Sequence, residues 1–138
     1  MPSIKPLLAE LADAAGEGEA FDAEMAYSNC SMLTKDPDHI LLVAKDGAVV
    51  AGFIHFTIRQ TVLHQRPSGL IDEAVVSKKY REHGVGRQMV LACVAKCREL
   101  GCGEVEVSTR KANARARKFY KECGFEEDSV LLEMDLAE

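Results

Sequence analysis

The sequence predicts an α/β (α+β) fold: a central mixed sheet made of an antiparallel meander and then a βαβ unit, with helices on both faces. Three observations carry this. Apolar runs at 39–44, 49–58 and 70–76 are separated by turn residues, which makes neighbouring strands antiparallel. A polar patch with two glycines then leads from the last run into a long amphipathic segment. An alternating run follows, Glu104–Val105–Glu106–Val107–Ser108, so strand, helix and strand form a parallel pair with a right-handed crossover.

The elements follow in order. Ile4–Ala15 has apolar residues at 4, 7, 8 and 11, the spacing of one helical face, and Gly16 and Gly18 break it. A second helix is expected from about Ala20 to Met32, with Phe21, Met25 and Met32 as its apolar stripe. Asp36–Pro37–Asp38 is a turn. His39–Ala44 is the first strand, Asp46–Gly47 a hairpin turn, and Val49–Ile58 the returning strand, in which Gly52 marks a bulge. Arg66–Pro67–Ser68–Gly69 reads as a turn before the strand Leu70–Val76. Met89, Val90, Cys93, Val94, Cys97 and Leu100 form the stripe of the next helix, and Gly101 sits where its C-terminal cap belongs. Asn113 suits the N-cap of a helix through Ala116, Phe119, Tyr120 and Cys123, which Gly124 stops. Val130–Leu136 alternates and is expected to close the sheet as a last strand.

A chain of 138 residues suits one domain, 1–138, around one core. Its net charge of −5 speaks against general nucleic-acid binding. No apolar run approaches the ~20 residues that cross a bilayer. The first residues, Met1–Pro2–Ser3–Ile4–Lys5–Pro6, lack a basic flank before an apolar block, so no signal peptide and a cytoplasmic location are expected. The five cysteines, Cys30, Cys93, Cys97, Cys102 and Cys123, include no Cys-x-x-Cys pair. They read as reduced, mostly buried thiols, and no metal is expected. Basic residues gather at 78–98 and 110–121 on an otherwise acidic chain, which fits an anionic ligand and, more weakly, a cationic substrate.

The junction Val75–Val76–Ser77 to Gly84–Val85–Gly86–Arg87 reads as strand, glycine loop and helix start. Backbone N–H groups and the positive end of a helix dipole converge at such a place, and a phosphate is its natural occupant.

Two motifs then resemble those of the GNAT superfamily of acetyl-coenzyme A-dependent N-acyltransferases. Arg81–Glu82–His83–Gly84–Val85–Gly86 matches the family's phosphate loop, Arg or Gln, two residues, Gly, one residue, Gly or Ala. Asn113–Ala114–Arg115–Ala116–Arg117–Lys118–Phe119–Tyr120 matches its later helix, with Asn113, Ala116, Phe119 and Tyr120 in register. The likeness spans about Asp38 to Leu136. Members usually begin with a strand, whereas this chain enters a helical pattern almost at once. That first strand is very short, missing or supplied by a partner.

The resemblance implies a set of roles. Backbone amides from Glu82, His83, Gly84, Val85, Gly86 and Arg87 hold the pyrophosphate of acetyl-coenzyme A, and Arg81 and Arg87 add charge. The strand Ala74–Val75–Val76 pairs with the pantetheine arm, which Asn113, Ala116 and Phe119 also help to hold, and an amide near Val75 polarises the thioester. Tyr120 protonates the leaving thiolate; an unperturbed phenol pKa of ~10 suits a donor. Asp72 and Glu73 are the candidate bases. As strand neighbours they are expected to point to opposite sheet faces. His55 and His64 are alternatives. The implied reaction is direct acetyl transfer to a primary amine, small molecule or peptide, without a covalent enzyme intermediate. A homodimer is compatible with the family. The competing readings are a non-catalytic module that binds coenzyme A and an interaction protein with an idle loop.

Overall fold

The computed structural model describes residues 4–14 and 22–137. They fall into two compact units that divide between Val107 and Ser108.

The first unit runs α1 (Lys5–Ala14), α2 (Ala23–Leu33), β1 (His39–Asp46), β2 (Val49–Arg59), β3 (Ser68–Val76), α3 (Val85–Glu99) and β4 (Glu104–Val107). The strands form one mixed sheet in the order β1-β2-β3-β4. β1–β2 and β2–β3 are antiparallel, and β3–β4 is parallel across the α3 connection. Gly47 turns the first hairpin at φ +60°, a conformation that a side chain disfavours. Gly101, at φ +82°, follows the end of α3 as expected.

Helices cover both faces of the sheet. Phe53 and Val75 are paired across β2 and β3 and share a buried cluster with Ile4, Leu7 and Leu8 of α1 and Cys30 of α2. Gly52, one residue along, points the other way. A Cβ there would lie 2.7 Å from the Val75 carbonyl oxygen and 3.1 Å from the Met89 sulfur of α3. Ile54, Phe56, Val90, Cys93 and Cys97 are also buried. The bulge expected at Gly52 lies beside it: Ala44 faces Gly52 but Lys45 faces Val50, leaving Ala51 as the extra residue.

Three expectations for this unit change. The stripe assigned to α2 is wrong: Met25 and Met32 are exposed, and Ala26, Tyr27 and Cys30 face the core. Asp22 caps that helix by accepting from the amides of Glu24 and Met25, which fixes its start. Ser68 and Gly69 belong to β3 rather than to a turn, because β2 extends to Arg59 and pairs with them. Gly69 fits there since a Cβ would collide with the Cys97 sulfur. Leu100 is exposed and serves as the C-cap of α3 instead of completing its stripe. No strand precedes α1 among the described residues; residues 1–3, and the expected breaks at Gly16 and Gly18 with Phe21, lie outside them.

The second unit holds α4 (Ala114–Glu122). Asn113 caps it, accepting from the Ala116 amide at 3.0 Å, and Gly124 follows its end at φ +108°. Val130–Leu136 is not a strand. Alternation supplies an apolar face, but a strand also needs a hydrogen-bonded neighbour. Among its described residues this unit offers none, and Leu132 and Leu136 are 87% and 86% exposed.

Gly52→Ala should lower stability by about 1–3 kcal/mol, because the added methyl meets a backbone carbonyl that can move only with its strand. Urea unfolding should show a lower midpoint at unchanged slope; an unchanged midpoint would contradict the close approach.

Candidate functional site

The loop between β3 and α3 is tied down at three places. The Lys78 amide donates to the Glu10 carboxylate of α1 at 3.0 Å. The Tyr80 hydroxyl donates to Asp46 at the first hairpin, 2.9 Å. Arg81 donates through Nε to the Val76 carbonyl at 3.3 Å, so it fastens the loop to its own strand. Glu82 and Gly84 both have positive φ, +66° and +80°, and Gly84 is the N-cap of α3. Nothing lies within 4 Å of where a Gly84 Cβ would stand. Conformation, not crowding, therefore calls for glycine there. The first α3 amide to bond back is Gln88, to the Gly84 carbonyl, so the preceding helical amides have no intrahelical acceptor. Gly84, His83 and Arg87 are exposed and Gly86 is half-buried. This is an open, rigidly anchored nest of N–H groups at a helix N-terminus, a geometry that binds anions.

β3 supplies the neighbouring surface. It pairs with β2 along its length, but its parallel ladder to β4 stops at Ile71. From there to Val76 its other edge has no strand beside it among the described residues. At the same point β3 bulges: His55 faces Glu73 while Phe56 faces Ile71, which leaves Asp72 as the extra residue. This corrects the expectation that Asp72 and Glu73 face opposite ways. Both reach His55, whose Nδ1 lies 3.3 Å from Glu73 Oε2 and whose Nε2 lies 3.9 Å from Asp72 Oδ2.

His55 is 4% exposed, on the sheet face of Phe53 and the two N-terminal helices. Its Nε2 is 2.9 Å from Nδ1 of His39, whose ring stacks on it. Thr57, opposite His39, donates to Asp72 Oδ2 at 2.5 Å. The hydrogen bond to Glu73 raises the His55 pKa above its ordinary value, against burial, which lowers it. His39 and Thr57 did not stand out in the sequence. The signal that places them is the Asp46–Gly47 turn, but only with the extra residue at Ala51 allowed for; a plain count outward would set His39 opposite Phe56 instead of Thr57. His64 lies apart on the exposed β2–β3 loop, where it pairs with Thr61.

In the second unit Asn113, Ala116, Phe119 and Tyr120 share the start and inner turns of α4. Tyr120 is half-buried, edge-on to Phe119 and Phe125 at centroid distances of 5.1 and 5.6 Å. Arg117 donates to the Lys111 carbonyl and takes both oxygens of Glu127 at 2.8 and 3.2 Å, tying together the segments on either side of α4. A groove of about 420 Å³ is lined by Ser108, Thr109, Arg110, Lys111, Leu131 and Glu133.

The buried thiols make poor nucleophiles. Burial raises the pKa of Cys30 and Cys93 and pushes Cys97 up to about 11.

Comparison with known proteins shows what the chain resembles. The model of the acetyltransferase (GNAT) family matches residues 5–125. An aminoglycoside N(6')-acetyltransferase type 1 from Stenotrophomonas maltophilia is 31% identical over 90 residues, which are 63% of this chain and 58% of that protein. Among solved structures, a transcriptional regulator from Bacillus halodurans C-125 superposes with a TM-score of 0.87 at 22% identity, over 99% of this chain and 95% of that one. The aminoglycoside N-acetyltransferase AAC(6')-Iy, solved with a bisubstrate analogue of coenzyme A and acetylneamine, gives 0.81 at 19% identity, over 99% and 91%.

Arg117 and Lys121 hold the Glu127 carboxyl down to about 2. A lowered pKa means that the clamp is intact above the ordinary carboxyl pKa of ~4.3 and is lost as pH falls through the folded value. Carbon-13 NMR should find Glu127 titrating near that low value, and Arg117→Gln should move the midpoint up toward the ordinary one. A midpoint unaffected by the substitution would refute the clamp.

Proposed function

The chain belongs to the GNAT acetyltransferase family, and from that premise we propose that it moves an acetyl group from acetyl-coenzyme A to a primary amine by direct attack. The observation that carries this is the nest after β3, anchored at Lys78, Tyr80 and Arg81 and opened by Gly84 at φ +80°. Amides of residues 82–87 hold the pyrophosphate, with charge from Arg87. Arg81 contributes mainly by fixing the loop to Val76. The edge of β3 at Ala74–Val76, which no strand among the described residues covers, pairs with the amide-bearing pantetheine arm, and the Val75 region polarises the thioester.

Asp72 and Glu73 draw in the protonated acceptor and take its proton. Their gathering around His55, rather than on opposite faces, supports a shared role. The amine attacks the thioester carbonyl, the tetrahedral intermediate collapses, and the thiolate leaves with a proton from Tyr120. Asn113, Ala116 and Phe119 form the helix that presents Tyr120 and line the arm. No thiol intermediate is needed, in keeping with the raised pKa values of Cys93 and Cys97. The acceptor is a cationic small molecule. The likeness to an aminoglycoside acetyltransferase and the acidic pair both favour that class.

Calorimetry on the full chain should show one coenzyme A per chain, weakened at least tenfold by Gly84→Val, which forces a β-branched residue to positive φ. Release of free thiol from acetyl-coenzyme A across a panel of polyamines and aminoglycosides should fall by about 10²–10⁴ in Tyr120→Phe. Binding without release from any amine would make the protein a coenzyme A-binding module, and an absence of binding would remove the proposal.

A further inference from the structure

We propose that His39, His55 and Asp72 form a binding site for a divalent first-row transition ion of the zinc class. The site lies within the first unit; it shares Asp72 with the acceptor chemistry proposed above but does not rest on that reading.

The ligands come from three adjacent strands, β1, β2 and β3, brought level by the sheet register and by the β3 bulge. One ligand atom from each, two ring nitrogens and a carboxylate oxygen, lie within 4.8 Å of one another. Ligands about 2.0–2.1 Å from a tetrahedral zinc stand roughly 3.3 Å apart. The measured separations bracket that value: 2.9 Å from His39 Nδ1 to His55 Nε2, and 3.9 Å from His55 Nε2 to Asp72 Oδ2. Side-chain movement that draws the Asp72 carboxylate in toward the two rings would seat the ion.

The surroundings favour a metal over a plain hydrogen-bond cluster in two respects. Glu73 faces Nδ1 of His55, which fixes the proton on that nitrogen and leaves the Nε2 lone pair turned toward His39 and Asp72. A carboxylate behind a ligating imidazole in this way orients metal-bound histidines. Thr57 likewise holds Asp72 by the oxygen that would ligate. Two carboxylates also surround one buried imidazole, so the cluster carries negative charge when its rings are neutral, and a dication offsets it. Without a metal, the two nitrogens 2.9 Å apart share one proton; binding moves that proton to Nε2 of the neutral His39 ring and gives both lone pairs to the ion. The Asp72 side chain is 30% exposed and His39 is half-buried, so an ion can enter from that side. Two imidazoles and one carboxylate suit zinc, cobalt or nickel over magnesium or calcium and leave a position for water.

The test uses the full chain freed of metal by a chelator. Zn²⁺ is titrated calorimetrically, and Co²⁺ is followed by its visible absorption. Saturable binding of one ion per chain is expected, weakened at least tenfold by His39→Asn and by Asp72→Asn. Glu73→Gln should weaken it about 10–100-fold without removing a ligand. Thermal melting checks that each variant is folded; Glu73 lies outside the core, so its variant still decides if the others melt early. Absence of saturable uptake overturns the proposal. So does equal affinity in all variants, which would put the ion on Cys93, Cys97 and Cys102 or on exposed His64. Coenzyme A binding measured on the same samples separates this result from the fate of the acetyltransferase proposal.

Discussion

One extra residue in β3 governs the first unit. The strand keeps β2 on one side throughout, yet holds β4 on the other only as far as Ile71, the residue before the bulge at Asp72. A bulge bends its strand and sharpens its twist, so it commonly ends a ladder. Two consequences follow from that local departure. The edge beyond Ile71 keeps backbone groups that no strand among the described residues uses, and adjacent carboxylates that regular pleating would separate meet at one imidazole. A regular β3 would pair further with β4 and would send one of the two acids to the α3 side of the sheet, among buried apolar side chains where an ionised carboxylate is costly.

Much of the scaffold was legible because each signal was local. Asp46–Gly47 announced the hairpin, Gly101 and Gly124 the ends of two helices, and Asn113 the cap of α4. The stripe of α3 was read correctly at Met89, Val90, Cys93 and Cys97, since apolar residues recur there at helical spacing and nothing competes with it. Most of the failures share a cause: a partner distant in sequence decided them. The rotation of α2 follows from its packing with Ile4, Leu7 and Phe53, not from where its methionines fall. Gly69 looks like a turn residue until Cys97 is placed against it. Val130–Leu136 has a strand's alternation and no strand to pair with among the described residues of its unit.

The histidine cluster illustrates the limit most clearly. Single-sequence spacing finds metal or acid–base sets when ligands sit a few residues apart on a helix or loop. His39, His55 and Asp72 are separated by most of a strand and a turn each time, and two bulges intervene. Any count that assumes strict alternation puts Asp72 on the wrong face. The glycine loop was legible for the opposite reason: its strand, glycine and helix-start pattern is written in consecutive residues; that Gly84 takes a positive φ is seen only in the structure.

The loop and the cluster are linked by β3 itself. Glu73 is three residues before Val76, about 10 Å along an extended strand, and the anion nest begins just past that strand's end. A ligand with a diphosphate in the nest and an extended arm running back along the uncovered edge therefore carries its far end toward the carboxylates. That is the order in which a thioester-bearing nucleotide presents its parts. It also gives the metal site a consequence. Asp72 can ligate an ion or receive a cationic amine, but its one partly exposed carboxylate cannot do both. An ion held there would compete with the acceptor and leave the nucleotide's anchor, several residues away along the strand, untouched.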